Sequence, residues 1–385
     1  MREIYFDNAA TTRVRPEVAE LMMKVMTEDY GNPSARHIMG MRAEDYVKTA
    51  REDIAATLRV SPKEIFFTSG GTESNNLALI GTALSRAKRG KHIISTGIEH
   101  AAVYKPLDFL REQGFEITIL PVDREGHIDL EELRRAVRSD TILVSLMYVN
   151  NEVGSIEPIA EAGRIIKEQN LDCYFHTDTI QAYGKLKLRP KAEHVDMLSV
   201  SSHKIHGPKG AGFIFIDERV HLHPLILGGG QERDMRSGTE NVPGIAGMGL
   251  AAKLYYQEFD KIEEKLLSVR DRLIDRLSSM EGVTVNTKKD GGFAAHIVSA
   301  SFEGVRAEVL LHALEDKGIY VSSGSACSSN HPAISGTLKS IGVEKELLDS
   351  TLRFSFGIYS EPEEADICAD ALSELLPVLR KYRRR

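Results

Sequence analysis

The chain has 385 residues, with 49 lysine and arginine and 56 aspartate and glutamate side chains, which gives a net charge of −7. A hydrophobic content of 42% and a charged content of 27% are ordinary for a globular protein and exclude a collagen-like, coiled-coil or disordered chain. Basic residues cluster only at residues 134–138 and 380–385, so a nucleic acid is not expected as a direct partner.

The N-terminus and the cysteines indicate the compartment. Residues 1–8 contain an early acid and no apolar core of the kind that a signal peptide has. The longest nearly apolar stretch, residues 142–149, is far shorter than the roughly 20 residues that cross a bilayer. The three cysteines, Cys173, Cys327 and Cys368, are too few and too scattered for a disulfide framework or a metal site. The sequence therefore predicts a cytoplasmic protein with reduced thiols, no membrane segment and no bound metal.

From residue 64 to residue 216, short β-rich runs alternate with helical patterns, which predicts an α/β fold with a mainly parallel sheet. The predicted strands are residues 64–68, 92–96, 116–120, 141–149, 172–176, 195–200 and 212–216. The predicted helices between them are residues 73–89, 101–113, 130–137 and 159–169.

Two long helical patterns follow at residues 242–259 and 261–280, and the pattern then changes. Short strands are predicted at residues 283–286, 297–302, 320–322 and 352–356, with helices at residues 307–317 and 362–380. We therefore expect a large α/β domain over residues 16–259 and a smaller α+β domain formed by residues 1–15 and 260–385.

Three segments of the predicted sheet carry polar residues where strands end. Residues 69–76, SGGTESNN, join a strand to a helix, where unpaired N–H groups and hydroxyls can hold a phosphate, although Thr72 as a plain helix N-cap is the alternative. Asp178 follows a buried strand, where ligands of open α/β sheets gather, and could hold a proton on a heteroaromatic nitrogen or cap a helix. Lys204 follows another strand, where a lysine can form a Schiff base, although surface lysines are common. Together these are the parts that a pyridoxal phosphate enzyme needs.

The sequence resembles the cysteine desulfurases of the NifS and IscS type, which are class V aminotransferases among the fold-type I pyridoxal phosphate enzymes. The resemblance covers essentially the whole chain. It rests on residues 5–12, 31–34, 69–76, 99–100, 149–154, 176–181, 202–210, 228–233, 236–239, 323–327 and 352–355. It implies a large domain with a mainly parallel seven-stranded sheet flanked by helices, a smaller domain with a catalytic cysteine loop, and a homodimer.

The resemblance also implies roles for individual residues. Lys204 corresponds to the lysine that binds pyridoxal 5′-phosphate covalently, and Asp178 to the partner of its pyridine nitrogen. His100 corresponds to the histidine that stacks on the ring, and its alternative is a satisfied histidine at a strand end. Arg353 corresponds to the arginine that binds the substrate carboxylate in a bidentate manner. The other implied contacts are Gly71, Thr72, Ser201 and His203 with the phosphate, Asn151 and Gln181 with the ring hydroxyl, Thr239 with the phosphate of the other subunit, and Asn32 with the substrate.

Cys327 differs from the other cysteines in its surroundings. It lies in residues 322–330, SSGSACSSN, which offer almost nothing apolar to pack it, so we expect residues 323–331 to form an exposed, mobile loop. Cys173 lies in an apolar strand and Cys368 in an amphipathic helix, so both are expected to be buried. The resemblance implies that Cys327 is the catalytic nucleophile that receives the sulfur.

These features predict a cysteine desulfurase that converts L-cysteine to L-alanine and leaves a persulfide on Cys327 for a sulfur-acceptor protein. An iron–sulfur scaffold, a tRNA thiolation enzyme and a cofactor pathway remain open as acceptors. A selenocysteine lyase or another pyridoxal phosphate enzyme of the same fold is the alternative function. A sulfur carrier without catalysis is a further alternative, against which Lys204 and Asp178 argue.

Overall fold

The computed structural model describes residues 3–323 and 335–382, and within these residues the strands form three sheets. The strands are β1 (Ile4–Tyr5), β2 (Ile65–Thr68), β3 (His92–Thr96), β4 (Glu116–Leu120), β5 (Thr141–Met147), β6 (Tyr174–Asp178), β7 (Met197–Ser201), β8 (Gly212–Ile216), β9 (Val283–Val285), β10 (Ile297–Phe302), β11 (Ile319–Tyr320), β12 (Ser322–Ser323) and β13 (Thr351–Ser355). The helices are α1 (Pro16–Thr27), α2 (Ile38–Leu58), α3 (Gly71–Arg86), α4 (Ala101–Glu112), α5 (Leu130–Ala136), α6 (Ile159–Gln169), α7 (Val242–Gln257), α8 (Phe259–Ser278), α9 (Ala307–Glu315), α10 (Gly336–Ser340) and α11 (Pro362–Leu379).

The largest sheet has seven strands in the order β2-β8-β7-β6-β5-β3-β4, and all neighbours are parallel except β8 with β2 and β7. Successive residues of each strand point to opposite faces of the sheet, and both faces are apolar. Helices therefore pack on both faces. Ile93 and Leu143 pack with α3 and α4, whereas Ile94 and Val144 belong to the core that includes α2, α6 and α7. The predicted α/β fold with a mainly parallel seven-stranded sheet is therefore confirmed.

The direction of the strands brings several strand ends to one edge of this sheet. Strands β2 and β7 are both antiparallel to β8, so they run in the same direction as each other and as the parallel strands β3, β5 and β6. The segments that follow all five strands therefore lie at the same edge. Those segments contain the residues that the sequence singles out.

A second sheet of four antiparallel strands has the order β12-β13-β10-β9, and α8 and α9 pack against it. The N-terminal strand β1 pairs with β11, and Asp7 forms a bridge to Ser355 at the end of β13. The prediction of one strand at residues 320–322 is wrong, because β11 and β12 belong to different sheets. The division into domains of residues 16–259 and of residues 1–15 with 260–385 stays a prediction.

Among the described helices, none combines the length and the apolar character needed to cross a lipid bilayer.

Candidate active site

A cavity of about 700 Å³ lies at the edge of the seven-stranded sheet where β2, β6 and β7 end. The N-terminal segment and Arg353 of β13 complete its wall. Ten residues singled out in the sequence line it: Gly71, Thr72, His100, Asn151, Asp178, Gln181, Ser201, His203, Lys204 and Arg353. Asn32 and Thr239 are exposed and do not line it. A second cavity of similar volume, between α1, α2 and α7, contains none of these residues.

Lys204 ends a short 3₁₀ turn that follows β7, so its side chain leaves the sheet at the edge beside the cavity. Its amine donates hydrogen bonds to the carbonyl oxygens of Ala9 and Ala10, at 2.6 and 2.7 Å. A second lysine, the buried Lys185, donates to the carbonyl oxygen of Lys204 itself. Burial, and secondarily the charge of Lys204, lower the pKa of Lys185 to about 7.

Asp178 is the last residue of β6, and its carboxylate is buried. One oxygen accepts a hydrogen bond from the Asn75 side chain at 2.7 Å, and the other accepts from the Ile180 amide at 3.0 Å. Burial raises the pKa of Asp178, and these hydrogen bonds oppose that rise. Turns rather than a helix follow Asp178, so it is not a helix cap. A cationic N–H group in the cavity would supply the charged partner that such a buried carboxylate favours.

The first turn of α3 faces the cavity through Gly71, Thr72 and Glu73. Gly70 is the N-cap residue and provides no side-chain hydrogen bond, so Thr72 is not a plain N-cap. The N–H groups of a first helical turn have no intrahelical acceptor and attract an anion. Gly70 has a φ of +148°, which favours glycine. This turn is therefore suited to a phosphate, as the sequence predicts.

His203 and Ser201 line the cavity near the same turn. The Nδ1 atom of His203 lies 3.2 Å from the Thr11 hydroxyl, and burial together with nearby lysines lowers the pKa of His203 to about 4. His203 is therefore neutral at physiological pH. It can contribute a hydrogen bond to an anion but no charge.

His100 is the N-cap residue of α4 and lines the cavity. Its Nδ1 atom accepts a hydrogen bond from the Ala102 amide at 3.1 Å, so a neutral ring carries its proton on Nε2. Burial lowers the pKa of His100, while the charge of Asp178 raises it and that of Lys204 lowers it. His100 therefore has a capping role in addition to its place in the cavity wall.

Arg353 is a buried residue of β13, and its side chain lines the cavity. Its Nη2 atom donates to Asp7 at 2.8 Å, and its Nη1 atom donates to the carbonyl oxygen of Asn151 at 2.9 Å. Within residues 3–323 and 335–382, its Nε atom has no hydrogen-bond partner. Because a buried N–H without an acceptor is costly, a carboxylate placed beside this edge would be stabilised.

Gln181 connects the cavity to the N-terminal segment. Its side-chain nitrogen donates to the carbonyl oxygen of Ala9 at 2.9 Å, and its oxygen lies 3.2 Å from Nε2 of His296. The sequence predicts no role for Asp7, Asn75, Lys185 or His296. Asp7 and Asn75 belong to motifs of the resemblance, but Lys185 and His296 carry no local pattern that separates them from ordinary core residues.

Two of the three cysteines lie among the residues that the structure describes. Cys173 and Cys368 are buried free thiols, as predicted, and burial raises the pKa of each to about 12. Neither can form a thiolate at neutral pH. Cys327, and the predicted mobile loop at residues 323–331 apart from Ser323, lie outside the described residues. In the described ranges, no cluster of three or more His, Cys, Asp or Glu side chains could hold a metal ion.

A lysine, a buried carboxylate and an open helix N-terminus around one cavity at a sheet edge are the parts that a pyridoxal phosphate enzyme needs. Residues 4–368 match the family described as "Aminotransferase class-V", and the chain belongs to this family. The predicted resemblance is therefore confirmed.

Curated relatives and solved structures agree with this membership. The chain is 44% identical to "Cysteine desulfurase IscS" of Dictyoglomus turgidum, over 98% of this chain and 96% of the relative. It is also 44% identical to "Cysteine desulfurase IscS" of Methanosarcina thermophila, over 98% of this chain and 93% of that relative. A solved structure called "NIFS-LIKE PROTEIN" matches with a TM-score of 0.93 and 39% identity over 98% of this chain and all of that chain. "SspA in complex with cysteine" matches with a TM-score of 0.81 and 34% identity over 93% and 99% of the two chains.

Proposed function

We propose that the protein is a cysteine desulfurase that converts L-cysteine to L-alanine and transfers the sulfur to Cys327. The observation that carries this proposal is the convergence of Lys204, Asp178 and Arg353 on one cavity in a class-V aminotransferase. Relatives called cysteine desulfurase, 44% identical over nearly their whole length, support the same reaction.

Pyridoxal 5′-phosphate fits the residues of this cavity and, when bound, supplies a ring that takes up electrons released at the substrate Cα. Lys204 would hold it covalently, and Asp178 would hold a proton at its ring nitrogen. The first turn of α3, which no side chain caps, would bind its phosphate. The other proposed contacts are Gly71, Thr72, Ser201 and His203 with the phosphate, and Asn151 and Gln181 with the ring hydroxyl.

Arg353 would bind the carboxylate of L-cysteine. Its planar guanidinium offers two parallel N–H groups to a carboxylate, and the buried Nε atom supplies one that has no described acceptor. The ion pair with Asp7 and the hydrogen bond to the Asn151 carbonyl would keep the guanidinium plane fixed while substrate binds. Asn32, which lies outside the cavity, stays a predicted substrate contact.

Lys204 and His100 would move protons. The Lys204 amine, held at the cavity by Ala9 and Ala10, is proposed to take the proton from the substrate Cα. His100 keeps its proton on Nε2 because Nδ1 is engaged by the Ala102 amide, so Nε2 is the atom that can donate.

The sulfur step conserves atoms and electrons. The Cys327 thiolate attacks the sulfur of L-cysteine, an S–S bond forms and the C–S bond breaks. The electron pair of the C–S bond stays with carbon, which takes up the proton that the Cys327 thiol released. The products are L-alanine and a persulfide on Cys327, which a sulfur-acceptor protein would then take up. An iron–sulfur scaffold and a thiolation enzyme are both compatible with this chemistry.

We further propose a cytoplasmic homodimer in which Thr239 reaches the phosphate in the second subunit. Leu225, Ile226 and Leu227 are exposed consecutive apolar residues, and Ile226 is bridged to Arg236, three residues before Thr239. An exposed apolar run of this kind favours a protein contact. Loss of cofactor retention in Thr239→Val, with unchanged retention in a variant of the neighbouring half-buried Glu240, would support this arrangement. A monomer with normal cofactor affinity would contradict it.

The proposed activity is tested by incubating purified protein with pyridoxal phosphate and L-cysteine. We expect an absorbance band from the covalently bound cofactor, formation of L-alanine without a keto acid, and a persulfide on Cys327 by mass spectrometry. Lys204→Ala should lose the band and the alanine, whereas Cys327→Ser should keep the band and lose the persulfide. Alanine formation by Cys327→Ser with selenocysteine, but not with cysteine, would point to a selenocysteine lyase.

A further inference from the structure

Glu99, which directly precedes His100, is buried between two strand ends of the large sheet. Its Oε1 atom accepts a hydrogen bond from the hydroxyl of Thr96, the last residue of β3, at 2.8 Å. The same atom accepts from the amide of Met147, the last residue of β5, also at 2.8 Å. One carboxyl oxygen therefore joins the turn that carries His100 to the end of the neighbouring strand.

A second hydrogen bond joins the same two segments. The side chain of Asn150 donates to the carbonyl oxygen of Ile98 at 3.0 Å. The turn over residues 97–100 is thus held at Ile98 and at Glu99, immediately before His100, the N-cap residue of α4. Since both Met147 and His100 line the cavity, this attachment sets how far the imidazole stands from the cavity wall formed by β5.

The surroundings of Glu99 favour its protonated form. Burial is the main effect, and the nearby carboxylates of Asp178 and Glu157 add to it, whereas the hydrogen bonds from Thr96 and Met147 oppose it. Together they raise the pKa of Glu99 to about 8. Its second oxygen has no hydrogen-bond partner among the described residues, which further disfavours a charge there.

We propose that Glu99 is an uncharged positioning residue, which holds the turn carrying His100 against the end of β5 and leaves Asp178 as the negative carboxylate of the site. This inference rests on the proposed function for its catalytic meaning, since His100 is the group that it positions. An uncharged Glu99 matters because a second carboxylate beside Asp178 would compete for the proton that Asp178 is proposed to hold on the cofactor.

The test compares variants of Glu99 with matched variants of Glu157. Glu157 is also buried, its pKa is also raised to about 8 by burial, and it also accepts a backbone hydrogen bond, from Ile128 at 3.1 Å. Neither Glu157 nor Ile128 lines the cavity. Glu99→Ala and Glu157→Ala should therefore destabilise the fold similarly, but only Glu99→Ala should change the site.

The readout is the titration of His100 in the cofactor-free full chain by NMR, assigned through His100→Gln. In Glu99→Ala we expect the pKa of His100 to rise toward that of an exposed histidine, because the turn loses its attachment, with Asp178 and Lys204 as the charges that face the ring. Turnover of the holoenzyme should fall about tenfold or more. Glu157→Ala should leave both quantities unchanged per folded molecule.

Two milder variants keep the test informative if Glu99→Ala does not fold. Glu99→Gln retains the accepting oxygen without a charge and should leave the His100 titration unchanged. Thr96→Val removes one of the two hydrogen-bond donors to Glu99. It should shift the pKa of His100 in the same direction as Glu99→Ala, by a smaller amount. A changed titration in Glu99→Gln, or an unchanged one in Thr96→Val and Glu99→Ala, would overturn the inference. A chain that binds no pyridoxal phosphate but shows the expected titrations would instead contradict the proposed function.

Discussion

Gly71 and Ile180 share a space that cannot hold a larger pair of side chains. A Cβ atom added to Gly71 would lie 2.1 Å from Cδ1 and 2.8 Å from Cγ1 of Ile180. Ile180 lines the cavity, so its open side is the space proposed for the cofactor. We therefore expect Gly71→Ala to push Ile180 into that space and weaken cofactor binding.

Two opposing effects set the free-energy change that Gly71→Ala produces. Alanine in place of glycine favours a helix by up to about 1 kcal/mol, and by less at the first helical position that Gly71 occupies. Overpacking costs about 1–3 kcal/mol, because neither Ile180 atom can stay where it is. The steric effect is larger, so cofactor affinity should fall about tenfold. Ile180→Ala removes both contacted atoms and should restore most of the affinity in the double variant.

The assay is fluorescence titration of the cofactor-free chain with pyridoxal phosphate, for the unchanged protein, both single variants and the double variant. A coupling free energy of about 1 kcal/mol or more between the two positions is expected. Gly336→Ala is the control, because Gly336 also begins a helix and an added Cβ would meet no atom of the described residues within 4 Å. Additive effects, or normal affinity in Gly71→Ala, would refute the steric argument.

Three further predictions concern buried titratable groups. Asp178→Asn should still bind the cofactor but lose about 100-fold or more of alanine formation, because the amide cannot hold the ring proton; retained activity would refute this role. The pKa of Glu157 is raised from its ordinary value of 4.5 to about 8 in the folded chain. The protonated side chain therefore contributes fully to the free energy of unfolding below pH 4.5, and this contribution is lost as the pH rises through 8. Glu157→Gln should therefore stabilise the chain more at pH 9 than at pH 5, by at most about 5 kcal/mol, as measured by urea midpoints; equal differences at both pH values would show that Glu157 is ionised when folded. Cys173→Ser and Cys368→Ser should each cost about 1–3 kcal/mol in thermal unfolding and leave sulfur transfer unchanged, whereas labelled sulfur on either residue would contradict the assignment of Cys327.

The strands of the large sheet were predictable because they are short apolar runs between polar turns. The predicted strands at residues 92–96, 116–120 and 212–216 agree with β3, β4 and β8 at both ends. Strand β6 begins and ends two residues later than predicted, which makes Asp178 its last residue rather than part of the following turn. The early helices were not predicted, because the buried face of α2 includes small residues such as Gly40, Ala43 and Ala50, which give a weak helical pattern.

The part of the site whose chemistry depends on a particular side chain was predictable from the sequence. The part that depends on backbone groups was not. Lys204 and Asp178 stand in polar motifs at strand ends, so their chemistry is readable from the sequence. The carbonyl oxygens of Ala9 and Ala10 accept from Lys204 across nearly 200 positions. Both residues lie in a motif of the resemblance, but the contact of their backbone cannot be read from the residue types. Lys185 is likewise unremarkable in sequence, since its contact is with a backbone carbonyl.

The N-terminal segment connects the two sheets whose residues are proposed to act on one small substrate. The Thr12 amide and hydroxyl both donate to the carbonyl oxygen of His203, at 2.9 Å, which fixes one end of the segment beside Lys204. Its other end is fixed to the smaller sheet, because the Asp7 carboxylate pairs with Arg353 and the Ala9 amide donates to the Ser355 hydroxyl at 2.9 Å. The distance between the amine of Lys204 and the guanidinium of Arg353 therefore depends on this segment. If Lys204 takes the Cα proton of a substrate whose carboxylate Arg353 holds, as proposed, that distance must be constant, and the hydrogen bonds that converge on this segment would keep it so.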